Sequence, residues 1–224
     1  MNFEKWDEKM FLKHGAFEKR YAKTNNMLLK HLGNQRMDVI IRMLNCINTD
    51  AVLDVGCGDG TLIKKIDAGE IVGIDASRTA VAIAKRKLKN KKNAIIKLEN
   101  AEKMRFPKNR FDKIACTEVL EHTSNPRKVI NEIRRVVKRN GLAVISVPNE
   151  KNVERIKTLL KRIRLFDMFF GRLSGSCSEE WHIHNFDKKM FKKLVSGKFK
   201  IIETKSLPNF LIPITLVFKC KPIK

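Results

Sequence analysis

The sequence predicts an α/β fold: a doubly wound, seven-stranded, mostly parallel sheet that finishes in an antiparallel pair. Three observations carry this. Short apolar runs alternate with helical patterns from residue 50 onward, a glycine-rich turn follows the first of those runs, and the last two runs are joined by too few residues for a crossover helix.

Taken in order, residues 3–46 are helical in pattern, with Met37, Ile40, Ile41 and Leu44 forming an apolar stripe. This segment, 1–46, is expected to cap the site. Apolar runs at 51–55, 70–74, 94–98, 111–116 and 142–147 supply five parallel strands, and 51–148 makes the ligand-binding core. Ser77 reads as a helix start before Ala80, Val81, Ile83 and Ala84. Asn125 and Pro126 open a second helix carrying Val129, Ile130, Ile133, Val136 and Val137, which Gly141 is expected to end. Residues 151–186 interrupt the strand order between strands five and six and are assigned to a lid over the acceptor. Within them 153–173 combines apolar residues at helical spacing with Arg155, Lys157, Lys161, Arg162 and Arg164. Such a helix covers the pocket of a soluble enzyme or rests on an anionic membrane surface. Residues 187–224 supply a helix capped by Asp187 and two strands, 199–203 and 212–219. The whole reads as one domain.

The chain has 224 residues and a formal net charge of +23, from 47 Lys and Arg against 24 Asp and Glu. That charge favours acidic partners, leaving nucleic acid, anionic lipid and acidic glycan open, or it is a Lys-rich surface with no partner of its own. Five scattered cysteines without a C-x-x-C pair argue against a disulfide framework and against a zinc site, so a reducing cytoplasm and no metal are expected. The amino terminus lacks a secretory pattern, and no apolar run is long enough to span a membrane.

The strongest local signal is Asp54-Val55-Gly56-Cys57-Gly58-Asp59-Gly60, where the first strand turns into the first helix. Glycines there allow close backbone approach and positive φ, and the helix amino terminus offers N–H groups to an anionic ligand group. Asp75 ends the second strand seventeen residues after Gly58, where a carboxylate can accept hydrogen bonds from ribose hydroxyls. Loop and acid together point to a nucleoside ligand. A dinucleotide loop would place a third glycine at position 61, which is Thr61, so NAD is not the expected nucleotide.

Over residues 51–148 the sequence resembles the class I S-adenosylmethionine-dependent methyltransferases of the small-molecule type, with a Rossmann-like fold. The resemblance implies that Asp54, Gly56, Cys57 and Gly58 approach the methionine part of S-adenosylmethionine, and that Asp75 and Ala76 hold the ribose. It places Asn100, Ala101 and Glu102 beside the adenine, with Asn100 standing where the family usually has Asp. Cys116 and Thr117, at the end of the fourth strand, would lie along the methionine moiety, and Glu118 and His122 would begin the acceptor wall.

Methyl transfer is an in-line displacement whose main demands are alignment and exclusion of water. A hydroxyl acceptor also needs a base, which makes His122, His182 and His184 the catalytic candidates. The last two stand in Trp181-His182-Ile183-His184-Asn185-Phe186, and the alternative for them is that one fastens the lid while the other is solvated. The expected reaction is methylation of a small-molecule, lipid or glycan-precursor acceptor, at oxygen before nitrogen or carbon. An RNA methyltransferase is the second reading; 7% aromatic residues with a single Tyr and no base-methylating tetrad after strand four weigh against it. A non-catalytic cofactor-binding subunit is the third. Oligomeric state is left open.

Overall fold

The computed structural model describes residues 27–162, 183–208 and 212–223. Their sheet has seven strands: β1 (Ala51–Val55), β2 (Glu70–Asp75), β3 (Ala94–Leu98), β4 (Phe111–Thr117), β5 (Val137–Pro148), β6 (Phe199–Leu207) and β7 (Thr215–Pro222). The spatial order is β3-β2-β1-β4-β5-β7-β6. Strands β1 to β5 pair in parallel, and β7 runs antiparallel to both β5 and β6. The direction of winding therefore reverses between β1 and β4, and the carboxyl ends of those two strands flank the crevice where an open α/β sheet binds its ligand.

Alternation along the strands sorts the core onto two faces. Val52, Ile71, Ala115, Val144 and Val217 bury one face with Val39, Ile40, Met43 and Leu44 of α1 (Met27–Leu44), with Ile63 of α2 (Thr61–Lys65), and with Val81 and Ala84 of α3 (Arg78–Lys87). Leu53, Val72, Ile114, Ile145 and Phe218 bury the other, against Val129, Ile130 and Ile133 of α4 (Pro126–Val136) and Phe191 of α6 (Lys188–Val195). Between β5 and α6 lies α5 (Glu150–Arg162). The helix starts follow their caps: the Ser77 hydroxyl accepts from the Ala80 N–H, Asn125 from Arg127 and Lys128 with Pro126 in the first turn, and Asp187 from Met190.

One expected boundary is wrong. Gly141 does not end α4; the helix stops at Val136, and Gly141 lies inside β5, which begins at Val137 rather than at residue 142. Pairing runs Phe111↔Val137 and then Lys113↔Leu142, so residues 138–141 bulge opposite Asp112 alone. A Cβ on Gly141 would come within 2.8 Å of the Asp112 carbonyl oxygen. The glycine serves close approach, not a left-handed helix end. The bulge is held by Lys138 Nζ, which donates at 2.8 Å to both Asp112 carboxylate oxygens. Strand β6 also runs on to Leu207, and β7 starts at Thr215 rather than 212.

The rings of Phe191 and Phe218 stack at 4.0 Å between α6 and the sheet, both fully buried. Phe218→Ala should lower the unfolding free energy by about 3–5 kcal/mol, the range for emptying a buried aromatic site. Urea denaturation of the two proteins, with equal slopes, measures this; a loss below 1 kcal/mol would mean that the sheet and α6 repack around the gap.

Candidate active site

The site is built at the reversal point. After β1 the chain enters the left-handed region three times, with φ of 68° at Gly56, 53° at Gly58 and 78° at Gly60. Each glycine does something different. A Cβ at Gly56 would collide with Val119, in the turn after β4, so this glycine lets the two loops close on each other. A Cβ at Gly60 would lie 2.7 Å from Leu88 Cδ1, so it lets α3 pack against the loop. At Gly58 a Cβ would meet nothing within 4 Å: this residue faces open space, as backbone that must receive a ligand does.

Asp75 fixes the loop. Its Oδ2 accepts from the Gly58 N–H at 2.8 Å and its Oδ1 from the Ser77 N–H at 2.9 Å, so the acid after β2 reaches back to the middle glycine. Ala76, half-buried, lies between Asp75 and Ser77. Asp59, the remaining acid of the loop, accepts from the Thr61 N–H and hydroxyl and pairs with Lys87 Nζ at 3.3 Å, which ties α2 to α3.

Asp54 is the reverse case. It is 1% exposed, and neither carboxyl oxygen has a hydrogen-bond partner among the described residues. Burial, and secondarily the charge of Asp75, push its carboxyl up to about 8. A buried polar group without partners is rare in a finished fold and marks a position awaiting one. S-adenosylmethionine carries cationic groups at its methionine end, and an unpaired carboxyl under an open glycine backbone suits them. Near Asp54, the thiols of Cys57 and Cys116 are buried on opposite faces of the sheet and held well above their usual range by burial, with Asp75 the next cause for Cys57 and Glu121 for Cys116.

The third-strand residues divide. Asn100 Oδ1 accepts from the Glu102 N–H at 2.8 Å, which closes a small turn and presents the amide at the end of β3. Glu102 is tied elsewhere: its Oε1 accepts from the Ser124 hydroxyl at 2.6 Å and the Asn125 N–H at 2.8 Å, securing the start of α4. Ala101 packs partly buried against the core. Thr117 closes β4, and Glu118 then adopts φ 55°, a conformation that costs a non-glycine residue roughly 1–3 kcal/mol. Arg36 of α1 compensates by pairing with Glu118 Oε2 at 2.9 Å, and this brings the amino-terminal helix to the edge of the site.

Of the three histidines, His122 ends a short 3-10 turn (Leu120–His122), with Nε2 3.8 Å from Glu121 Oε1. His184 Nε2 lies 3.0 Å from the Thr123 carbonyl. A carbonyl only accepts, so that nitrogen carries the proton and Nδ1 is the basic one. His182 lies outside the described residues, as do 163–181 of the expected lid. The sequence reading missed Glu121. It is fully buried, neither carboxyl oxygen has a hydrogen-bond partner on another described residue, and its backbone carbonyl accepts from the Ile183 and His184 N–H groups at 2.7 and 3.3 Å. An acid beside a histidine was visible in the sequence; that it points inward was not. Among the described residues no cluster of His, Cys, Asp or Glu could hold a metal ion.

Comparison with known proteins agrees with this geometry. Residues 53–145 match a family model described as a methyltransferase domain. The mitochondrial ubiquinone biosynthesis O-methyltransferase of Schizosaccharomyces pombe is 30% identical over 59% of this chain and 51% of its own length. The demethylmenaquinone methyltransferase of Bacillus licheniformis is 29% identical over 75% of this chain and 76% of its own. In fold, the chain is similar to the N-methyltransferase NodS of Bradyrhizobium japonicum in complex with S-adenosyl-L-homocysteine, with a TM-score of 0.72 at 12% identity, covering 97% and 99% of the two chains. These likenesses place a methyltransferase-type domain in residues 53–145 and give the chain the fold of the NodS structure. The chain spans about half the length of the ubiquinone O-methyltransferases it matches.

Asp54 makes the empty protein sensitive to pH. Its carboxyl holds a proton up to about 8 when folded, whereas the unfolded chain releases it near 3.8, so its contribution is complete below that value and is lost as pH rises through 8. Asp54→Asn should remove this decline and raise stability at pH 9 by an amount on the order of a few kcal/mol. Thermal melts of both proteins from pH 4 to 9 measure it; parallel curves would show that Asp54 ionises freely in the fold.

Proposed function

We propose that this protein is a cytoplasmic enzyme that transfers the methyl group of S-adenosylmethionine to an oxygen of a small-molecule, lipid or glycan-precursor acceptor. The observation that carries the reading is the pairing of an open, left-handed Gly58 with an unpartnered Asp54 at the reversal point, and Asp75 beside them. The cofactor supplies an activated methyl on a cationic sulfur. Gly56, Cys57 and Gly58 would give it close backbone contact, Asp54 a counter-charge, Asp75 and Ala76 the ribose contacts, and Asn100, with Ala101 and Glu102, the adenine edge. Cys116 and Thr117 would line the methionine part. The names of the ubiquinone and demethylmenaquinone relatives support an acceptor of the quinone-precursor kind. The described cysteines, 46, 57, 116 and 220, are free, which supports the reducing compartment, and no described helix is long and apolar enough to cross a membrane.

His122, His182 and His184 remain candidates for the acceptor side. The hydrogen bond from His184 to the Thr123 carbonyl supports a second duty for that residue, fastening the chain that follows 163–182 to the turn after β4. Charge supports one further reading, contact of residues 153–173 with anionic membrane or with RNA. Arg155 and Arg162 of α5 are exposed, as is Leu159.

Calorimetry with S-adenosylhomocysteine should show binding, and NAD should show none. Asp75→Ala should weaken S-adenosylhomocysteine binding by about 1.5–3 kcal/mol, the range for hydrogen bonds to a charged group, and Gly58→Val by more. Tighter binding of NAD would overturn the cofactor assignment. Incubation with methyl-labelled cofactor and separated lipid, RNA and small-molecule extracts identifies the acceptor class by which fraction takes the label. In that assay His184→Ala should cut turnover while S-adenosylhomocysteine affinity stays nearly unchanged, and unaltered turnover would remove His184 from the acceptor site.

A further inference from the structure

The described interior holds two acids whose carboxyl oxygens lack partners, and the cofactor reading uses only Asp54. The other is Glu121. It sits in the turn after β4, fully buried, and among the described residues neither oxygen has a hydrogen-bond partner on another residue; His122 Nε2 lies 3.8 Å from Oε1, too far for a hydrogen bond. Its surroundings are drawn from several elements. Glu118 follows β4, Glu150 opens α5, Cys116 lies in β4 next to its last residue, and Arg36 reaches in from α1. Burial and the charges of Glu118 and Glu150 hold the Glu121 carboxyl well above its usual range, and Arg36 offsets this in part. Arg36 and the residue's own backbone N–H favour the charged form less than burial and the neighbouring glutamates oppose it. A glutamine of the same shape would remove the ionisation cost and leave the backbone contacts to Ile183 and His184 intact.

Position supplies the other half of the argument. Val119, two residues before Glu121, packs on Gly56 of the glycine loop, and the carbonyl of Glu121 accepts from the Ile183 and His184 N–H groups. Glu121 therefore lies between the glycine loop and the segment that carries His184. A buried acid kept unpaired at such a place, at a cost to stability, is characteristic of a reacting group.

We propose that Glu121 is the general base that receives the proton of an acceptor hydroxyl during methyl transfer. The step balances within the site: the acceptor oxygen forms a bond to the methyl carbon, the carbon–sulfur bond breaks with its electron pair passing to sulfur, the acceptor O–H bond breaks, and its proton goes to the Glu121 carboxylate. The surroundings that disfavour its charge make that carboxylate a stronger base. His122 and His184 then position the turn, and the histidines need not carry the proton. This rests on the methyltransferase reading above and adds the identity of the base and the hydroxyl class of the acceptor.

The test is Glu121→Gln, with three readouts. Thermal melts should show the variant more stable than wild type at pH 8, with the gap closing toward pH 4, because the folded acid resists ionisation while the unfolded one does not. Affinity for S-adenosylhomocysteine should stay within about twofold, and label transfer to the accepting fraction should fall at least a hundredfold, in the range for loss of a general base. Glu121→Asp should recover part of the transfer. A variant less stable than wild type at pH 8 would make Glu121 a structural partner and overturn the proposal, as would transfer within threefold of wild type or loss of S-adenosylhomocysteine binding. Wild-type protein that binds no S-adenosylhomocysteine would sink the methyltransferase reading itself, a result distinct from each of these.

Discussion

The hydrogen bond from the Gly58 N–H to Asp75 is the constraint on which the site depends. It joins the loop after β1 to the end of β2, so the sheet's own pairing of those strands sets where the glycine backbone lies. Since Asp75 also accepts from Ser77, the same carboxylate fixes the start of α3. Three glycines with positive φ would otherwise make a loop of high conformational freedom. One acid, placed by the strand register, makes it a defined surface. Its neighbour Asp54 receives no such donors among the described residues, and burial pushes its carboxyl up to about 8, so two aspartates in one small region sit in opposite hydrogen-bonding environments.

The second organising contact lies across the crevice. Glu118 holds a left-handed backbone where no glycine stands, and Arg36 from α1 and the Ser146 hydroxyl from β5 take its carboxylate. This is how a helix that precedes the sheet in sequence comes to bear on its functional edge. Val119 follows at once and packs on Gly56, so the loops after β1 and β4 are mutually fitted. A change in one is felt in the other.

Much of this was legible in the sequence because it rests on local chemistry. The strand runs, the caps at Ser77, Asn125 and Asp187, and the glycine loop with its acid each depend on residues a few positions apart. What escaped reading depends on long-range geometry. Gly141 looked like a helix end because glycine after an apolar stripe usually is one, and only the pairing of β4 with β5 shows that it makes room for the Asp112 carbonyl. The contacts of the Glu102 carboxylate with Ser124 and Asn125, more than twenty residues on, are of the same long-range kind. Glu121 carries no sequence mark that separates it from a surface acid; its short turn packs against α4 and β5, and its carbonyl is met by the N–H groups of Ile183 and His184.

The two buried thiols at the ends of β1 and β4, Cys57 and Cys116, bear on a hazard that the proposed activated methyl group would bring. A thiolate is among the best nucleophiles a protein can offer, and one beside a sulfonium donor would alkylate itself. Here burial and neighbouring acids hold both sulfurs in the protonated form, where they are poor nucleophiles. The negative charge that suits a cationic donor thus also protects the chain from becoming its own acceptor.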